Sequence, residues 1–348
     1  MGESVQVAGV DLVVLAGWMD GQGLGSGPIE QVRELAGGTQ NVLLRFTRAG
    51  RDYVLRRPPP HLRAGSNETM RREARLLGAL AGSAVPHPAL IAACGAEDVL
   101  GAAFYLMEPI EGFNATSGLP DSHCTAQAQH RMGLSMVEGL AALHALDPFA
   151  LGLDGFGKVE GFLERQVGRW QAQLDSYAEL VGWPGPGELG DVRAVGQWLD
   201  ANRPASFVPG ILHGDYHLAN VMFRSDAPEL AAIVDWELAT LGDPLVDLGW
   251  LLATWPDGSD SSITSVTPWI GFPSAAELVA HYAARSARSL DAVGWYGVFA
   301  CYKLGILLEG THARACAGKA PKETGDKLHA RAVWLLERAR KWIAEGVL

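Results

Sequence analysis

Cysteine is scarce and scattered: Cys94, Cys124, Cys301 and Cys316 lie far apart, with no CxxC pair. Such spacing offers neither a disulfide framework nor a cysteine zinc site and points to a reducing cytoplasm. No apolar run reaches the roughly 18 residues of a membrane span, so no membrane partner is expected. The opening MGESVQVAGVDLVVLAG lacks a basic segment and a clear cleavage site, so no secretory signal is expected there. Positive charge is also short, with 28 Lys and Arg against 39 Asp and Glu and a net charge of −11. That balance argues against a nucleic-acid partner, which needs a basic face, but leaves room for a local basic pocket for a phosphorylated ligand. There is no internal repeat and no low-complexity block. A chain of 348 residues is long for one core and suggests two lobes.

The first hundred residues read mainly as strands. IEQVREL and NVLLRFT flank AGGTQ, a hairpin signal with Gly37 and Gly38 in its turn. RDYVLRR is a third strand, stopped by Pro58, Pro59 and Pro60. SNETMRREARLLGALAG predicts a helix capped at Ser66 or Asn67 and ended by Gly82. ALIAAC and FYLMEPIEG predict two more strands. Beyond about residue 125 the pattern turns helical, over 125–146, 159–181, 190–202, 274–288, 291–315 and 323–345. Asp243 before Pro244 adds one further helix start. The expectation is an α+β chain: a small antiparallel sheet with one helix in 1–107, then a larger, mostly helical lobe in 108–348.

One region breaks the helical pattern. ILHGDYHLANVMF, from Ile211, is followed by AAIVDWELATLGDPLVDL. Moving the terminal phosphoryl group of a nucleotide needs hard oxygen ligands for Mg²⁺ and a carboxylate to orient the acceptor hydroxyl. The kinase catalytic loop places an asparagine five positions after its aspartate, and Asp215 and Asn220 have that spacing. A second carboxylate, Asp235, follows the apolar AAIV. The rival metal reading takes His213 and His217, four apart, as zinc ligands. Gly214 holds the place where a zincin has its glutamate, and the flanking strands disfavour a helix there. The blandest alternative makes Asp and Asn mere turn formers.

HGDYHLAN, IVDWE and LGDPLVDLGWLL resemble the aminoglycoside phosphotransferase and choline-kinase-like family, which shares the protein-kinase fold. YVLRRPPP, HRMGL, DWELATLGDPLVDL and GTHARACAG most resemble the branch of phosphotransferase domains linked to acyl-CoA dehydrogenases. The likeness spans about residues 20–340. It implies a protein-kinase-like two-lobe fold using ATP and Mg²⁺. Asp215 would be the catalytic base or the group that orients the acceptor hydroxyl, with Asn220 and Asp235 as metal ligands. Glu237 would assist the metal indirectly. His213 would be a packed structural residue, and Asp247 a support for the catalytic loop.

The resemblance also assigns the nucleotide side. The turn LAGGTQN, with Gly37, Gly38, Thr39 and Asn41, would lie over the phosphates, where glycines let backbone N–H groups approach anionic oxygens. The branch often has a serine where Gln40 stands, so Thr39 would supply the hydroxyl. Arg56 aligns with the kinase strand lysine and is not equivalent to it; Arg57 is the competing position. Glu73 heads the stripe of Leu76, Leu77 and Leu80 and would pair with Arg56, since an unpaired charge there is costly. At the hinge LMEPIEG, the backbone of Glu108 and Ile110 would meet the adenine edge, with Met107 packed beside it.

About seven residues separate Asp235 from the GDP turn, too few for a protein-kinase peptide-binding segment, so the acceptor would be a small-molecule hydroxyl. A hydroxyacyl-CoA or hydroxy acid follows from the branch, an aminoglycoside or other antibiotic from the wider family, and an amino or sugar alcohol is third. Arg285, Arg288, Lys303, Arg314, Lys319 and Lys322 make residues 274–348 mixed rather than acidic, and Arg314 with the lysines near 319–322 suits an anionic, CoA-linked acceptor better than a polycation. A non-catalytic kinase-fold nucleotide-binding protein is the alternative class, favoured only by Arg56. The tryptophans, Trp250 among them, read as helix packing, with Trp269 the one most suited to lining a pocket.

Overall fold

In the computed structural model, the residues described are 6–35, 41–256 and 263–346. The chain forms two compact units. One holds the described residues up to Glu111 together with 151–153 and 231–237; the other holds the rest.

The first unit begins with a two-residue hairpin, β1 (Gln6–Val7) and β2 (Val10–Asp11), and helix α1 (Leu12–Gly21). Strands β3 (Glu30–Glu34), β4 (Val42–Arg48) and β5 (Arg51–Arg57) follow, then α2 (Ser66–Ala79), β6 (Leu90–Cys94) and β7 (Phe104–Met107). The five long strands form one antiparallel sheet in the order β3-β4-β5-β7-β6. Alternation along β4 and β5 sends Val42, Leu44, Phe46, Tyr53 and Leu55 to one face, where Leu12, Leu15 and Met19 of α1 cover them. Val54 and Arg56 point to the other face, toward the side of the sheet that meets α2.

Helix α1 is an addition to the expected sheet and single helix. DLVVLAG looks strand-like because of its valines, yet Asp11 accepts the Val13 and Val14 N–H groups at 2.9 and 3.1 Å and starts a helix. Val13 and Val14 are left exposed while Leu12, Leu15 and Met19 are buried, so burial at helical spacing overrides strand propensity. The expected cap of α2 also differs. Gly65, in the left-handed region, stands at its N-cap with no side-chain cap bond, and Asn67 instead accepts the Ala103 N–H at 3.0 Å. The late segment 231–237 belongs with this unit because the Ile233 N–H donates to Pro86 O at 2.9 Å and Asp235 pairs with Arg56.

The second unit contains α3 (Ala126–His144), α4 (Gln166–Ser176), α5 (Val192–Ala201), β8 (Gly210–Leu212) and β9 (Val221–Phe223). After β10 (Leu230–Ile233), which lies mostly in the first unit, come β11 (Thr240–Gly242), α6 (Leu245–Thr254), α7 (Ala275–Ala283), α8 (Val293–Cys316) and α9 (Lys322–Glu345). The pattern over 159–181 overreached: α4 starts only at Gln166, and α7 stops at Ala283 rather than 288. Helix α6 follows the Asp243-Pro244 signal, with Asp243 Oδ1 accepting the Leu245 N–H at 3.1 Å. It is buried along its whole length, so it carries no polar stripe by which periodicity would mark it. Among the described residues, no helix is long and apolar enough to cross a membrane.

Candidate active site

In the second unit, β8 pairs antiparallel with β11, Leu212 opposite Thr240, and the chain leaves β8 into the loop 213–220. Two backbone donors at the loop start, His213 N–H and Gly214 N–H, bond Asp247 Oδ2 and Oδ1 at 2.6 and 2.9 Å. Asp247 is wholly buried near the start of α6, so it clamps the loop rather than facing a ligand. Gly214 has φ +88°, and a Cβ there would strike the Leu238 carbonyl, so the turn requires glycine.

The loop closes on Asp215. Its Oδ1 accepts the Trp250 indole N–H at 2.9 Å and faces His217 Nε2 at 3.1 Å, and its Oδ2 accepts the Asn220 amide at 2.9 Å. The same Asn220 nitrogen bonds Asp215 O at 2.9 Å, which aims the Asn220 side-chain oxygen away from the carboxylate. His217 caps the short turn Leu218–Asn220, accepting the Ala219 N–H on Nδ1 at 3.1 Å. Its neutral form therefore carries the proton on Nε2, the atom facing Asp215. Burial works to raise the Asp215 pKa, but the hydrogen bond and charge of His217, then the charge of His213 and the Trp250 N–H, outweigh it and hold the group well below the ordinary carboxylate value. Asp215 is an anion across the physiological range. Lys303 on α8 lies 4.4 Å from the Trp250 ring centre and donates to Gly214 O at 3.4 Å. Burial lowers its pKa to about 8 against the pull of Asp247 and Asp215.

The two histidines do not make a helix face. His213 Nδ1 accepts the Asp215 N–H at 3.3 Å, and His217 is held by Ala219 and Asp215, so their nitrogens serve the loop. Trp250 was expected to be packing alone; its N–H instead bonds the central carboxylate. Lys303 and Arg288, counted among the cations of the mixed stretch 274–348, are both engaged internally. Arg288 donates to His144 O at 2.9 Å and to Val208 O at 2.5 Å. Trp269 stacks on Phe272 with ring centres 4.1 Å apart.

The first unit holds a second polar constellation. Arg56 Nε lies 3.0 Å from Glu73 Oε2, and Arg56 Nη2 lies 2.8 Å from Asp235 Oδ1 and 3.9 Å from Glu237 Oε2. Glu73 Oε2 also accepts the Tyr105 O–H at 2.8 Å, and Arg56 and Tyr105 are direct partners across β5 and β7. Burial opposes the Arg56 charge, yet Glu73, Tyr105 and Asp235 keep its pKa above the ordinary value. Burial pushes Glu73 upward, with Arg56 and Tyr105 opposing. Arg57 is turned elsewhere: Nη1 bonds Gly9 O at 3.0 Å and Nε bonds Pro58 O at 3.1 Å. Asp235 sits at φ +65°, a conformation that costs a non-glycine residue of order 1 kcal/mol or more and recurs at functional sites. Asn41 donates to Glu237 Oε2 at 3.3 Å.

Of the remaining expected nucleotide residues, Gly37, Gly38 and Thr39 lie outside the described residues. Met107 ends β7 and is half-buried. The Glu108 N–H already bonds Ala89 O at 2.9 Å, and its carboxylate pairs with Arg51. Ile110 follows in irregular chain and is half-buried.

Residues 31–290, well over half of the chain, match the phosphotransferase enzyme family, APH. The chain belongs to this family. Mouse acyl-CoA dehydrogenase family member 10 is 29% identical over 316 residues, covering 87% of this chain but only 28% of that protein. The APH chain thus spans well under half the length of that relative. A Ralstonia eutropha crystal structure, provisionally designated an aminoglycoside phosphotransferase, is 28% identical and superposes with a TM-score of 0.80 over 95% of this chain and 99% of the other. The complex of APH(2″)-IIIa with GDP and kanamycin is 19% identical, with a TM-score of 0.60 over 90% and 94% of the two chains, and shows the shared fold. The architecture is the protein-kinase-like fold of these phosphotransferases, as the catalytic-loop sequence implied.

Proposed function

We propose that this phosphotransferase is an ATP- and Mg²⁺-dependent small-molecule kinase acting on a hydroxyl, and that its acceptor is a hydroxyacyl-CoA or a related hydroxy acid. The observation that carries the reading is Asp215: a carboxylate kept ionised by donors on both oxygens, in a loop anchored by buried Asp247. Such a group orients a hydroxyl and accepts its hydrogen bond while remaining a weak base. That suits phosphoryl transfer through a loose transition state, in which the attacking oxygen need not lose its proton early.

Each of the two proposed ligands carries an oxygen of the kind that Mg²⁺, a hard cation, takes. Asn220 offers its amide oxygen, its nitrogen being tied to Asp215, and Asp235 offers a carboxylate that is 40% exposed. Bound there, the ion would neutralise charge on the transferring phosphoryl group. Arg56, fixed by Glu73, would contact the phosphates in place of the usual lysine. The Glu108 carbonyl and the Ile110 backbone would receive the base, since the Glu108 N–H is already bonded to Ala89. We assign residues 1–107 to the nucleotide and 108–348 to catalysis and the acceptor. The four free thiols support a cytoplasmic location.

The acceptor reading rests on the acyl-CoA dehydrogenase relatives, so the test must span acceptor classes. Nucleotide turnover with Mg²⁺ would be measured against hydroxyacyl-CoAs, free hydroxy acids, aminoglycosides and amino alcohols, beside Asp215→Ala. Acceptor-dependent ADP release that the variant abolishes supports a kinase, and the active class names the acceptor. If aminoglycosides alone respond, the antibiotic reading replaces ours. If nothing responds but ATP raises the melting temperature, the chain is a nucleotide-binding protein without turnover, the reading that Arg56 in the lysine position favours.

A further inference from the structure

The motif GTHARACAG has no part in the chemistry above, yet it contributes to a third polar centre. Glu309, His312 and Cys316 fall at i, i+3 and i+7 on α8 and so share one face. His329 comes to the same place from α9. One ligand atom from each of Glu309, His312 and His329 lies within 4.8 Å of the others, the one such grouping among the described residues. Glu309 is wholly buried; Oε1 accepts the Trp183 indole N–H at 2.6 Å and Oε2 lies 2.6 Å from His329 Nδ1. The two imidazoles stack with ring centres 4.3 Å apart and planes 30° apart. His312 Nε2 lies 3.5 Å from Cys316 Sγ. His312 Nδ1 is buried with no hydrogen bond, and Asp326 Oδ1 lies 3.9 Å from it.

We propose that Glu309, His312 and His329, with the Cys316 thiolate as fourth donor, form a site for one Zn²⁺ ion that clamps α8 to α9. Nitrogen, sulfur and carboxylate oxygen are the donors zinc prefers, and four of them complete a tetrahedral shell. Ligand distances of about 2.0–2.3 Å place donors about 3.3 Å or somewhat more apart. The Glu309–His329 pair would open slightly, and the wider pairs would close in by rotation about side-chain bonds. A dication there gives the buried Glu309 a counter-charge. Trp183 is the outer partner that orients the Glu309 carboxylate. The site is independent of the phosphotransfer residues: its members are none of Asp215, Asn220 or Asp235. Without metal, His329 would instead carry a proton between Glu309 and Glu188, whose Oε2 lies 2.9 Å from Nε2.

The test uses the full chain stripped with EDTA and titrated calorimetrically with ZnCl₂. One equivalent should bind and raise the melting temperature, equally in wild type and in Asp235→Asn, which removes uptake by the nucleotide side. His312→Ala combined with His329→Gln should abolish that equivalent. Cys316→Ser, at a partly exposed position and therefore mild for folding, should remove the sulfur-to-metal absorption band of the Co²⁺-substituted protein. Circular dichroism establishes that each variant is folded. If the wild type takes up no equivalent, or folded variants lacking both histidines bind as well as it does, the cluster is only a hydrogen-bonded knot and the proposal falls. If Cys316→Ser keeps the band, Cys316 is not a ligand and the four-donor site is refuted.

Discussion

Replacing Glu73 tests the first-unit constellation without knowledge of the acceptor. Glu73 is 1% exposed and touches both Arg56 and Tyr105. Removing one member of a buried ion pair costs about 3–5 kcal/mol, because the other charge stays buried without compensation. Two features set the size here. Arg56 keeps Asp235 at 2.8 Å, so it is not left wholly unpaired. The Tyr105 hydroxyl, 2% exposed, loses its acceptor, which adds about 1–3 kcal/mol. We therefore expect Glu73→Ala to lose about 3–5 kcal/mol in urea denaturation. Glu73→Gln should lose less, because the amide oxygen still accepts from Tyr105. Pairing Arg56→Met with Glu73→Leu should cost less than the sum of the two single changes by about 2 kcal/mol or more, since no charge is then stranded. An additive double mutant, or a Glu73→Ala cost below about 1 kcal/mol, would refute the buried-pair argument. ATP affinity, read by calorimetry, should weaken in both Glu73 variants, because Arg56 loses the partner that aims it.

Three further outcomes are expected. Trp250→Phe keeps the ring beneath Lys303 but removes the N–H to Asp215. Turnover should fall by roughly tenfold, about the 1.4 kcal/mol of one hydrogen bond, with little change in nucleotide KM. Asp247→Ala strips the acceptors from the His213 and Gly214 N–H groups and should destabilise the protein by about 3 kcal/mol or more by thermal unfolding, whereas Asp247→Asn retains one acceptor and should cost less. Lys303 has its pKa lowered from 10.5 to about 8, so the unfolded chain holds the extra proton between those values. Its penalty is fully present below about pH 8 and is relieved as pH rises toward 10.5, so its contribution to stability climbs across that window. Lys303→Met should flatten the climb, and an unchanged slope would show that the ammonium is solvated.

The catalytic loop was legible in the sequence because its signal is local. Five positions separate Asp215 from Asn220, and one short turn capped by His217 brings their side chains to 2.9 Å. Strand alternation likewise singled out Arg56 over Arg57, and helical spacing put Glu73 on the buried face of α2. These follow from backbone periods of 2.0 and 3.6 residues, which any stretch of a few turns or strands displays. The chain by itself therefore determined which residue types stand ready and at what local spacing. Only the tertiary structure decided their long-range partners. Trp250 reaches Asp215 across 35 positions, Lys303 reaches Gly214 across 89, and Arg56 meets Asp235 across 179. No periodicity marks such partners, because they are chosen by the packing of whole elements. Helix α1 shows the same physics in reverse: valine favours strand, yet the chance to bury Leu12, Leu15 and Met19 on the sheet made the segment a helix. Local pattern is fixed by backbone geometry, while the identity of a buried neighbour is fixed by which surfaces the fold removes from water.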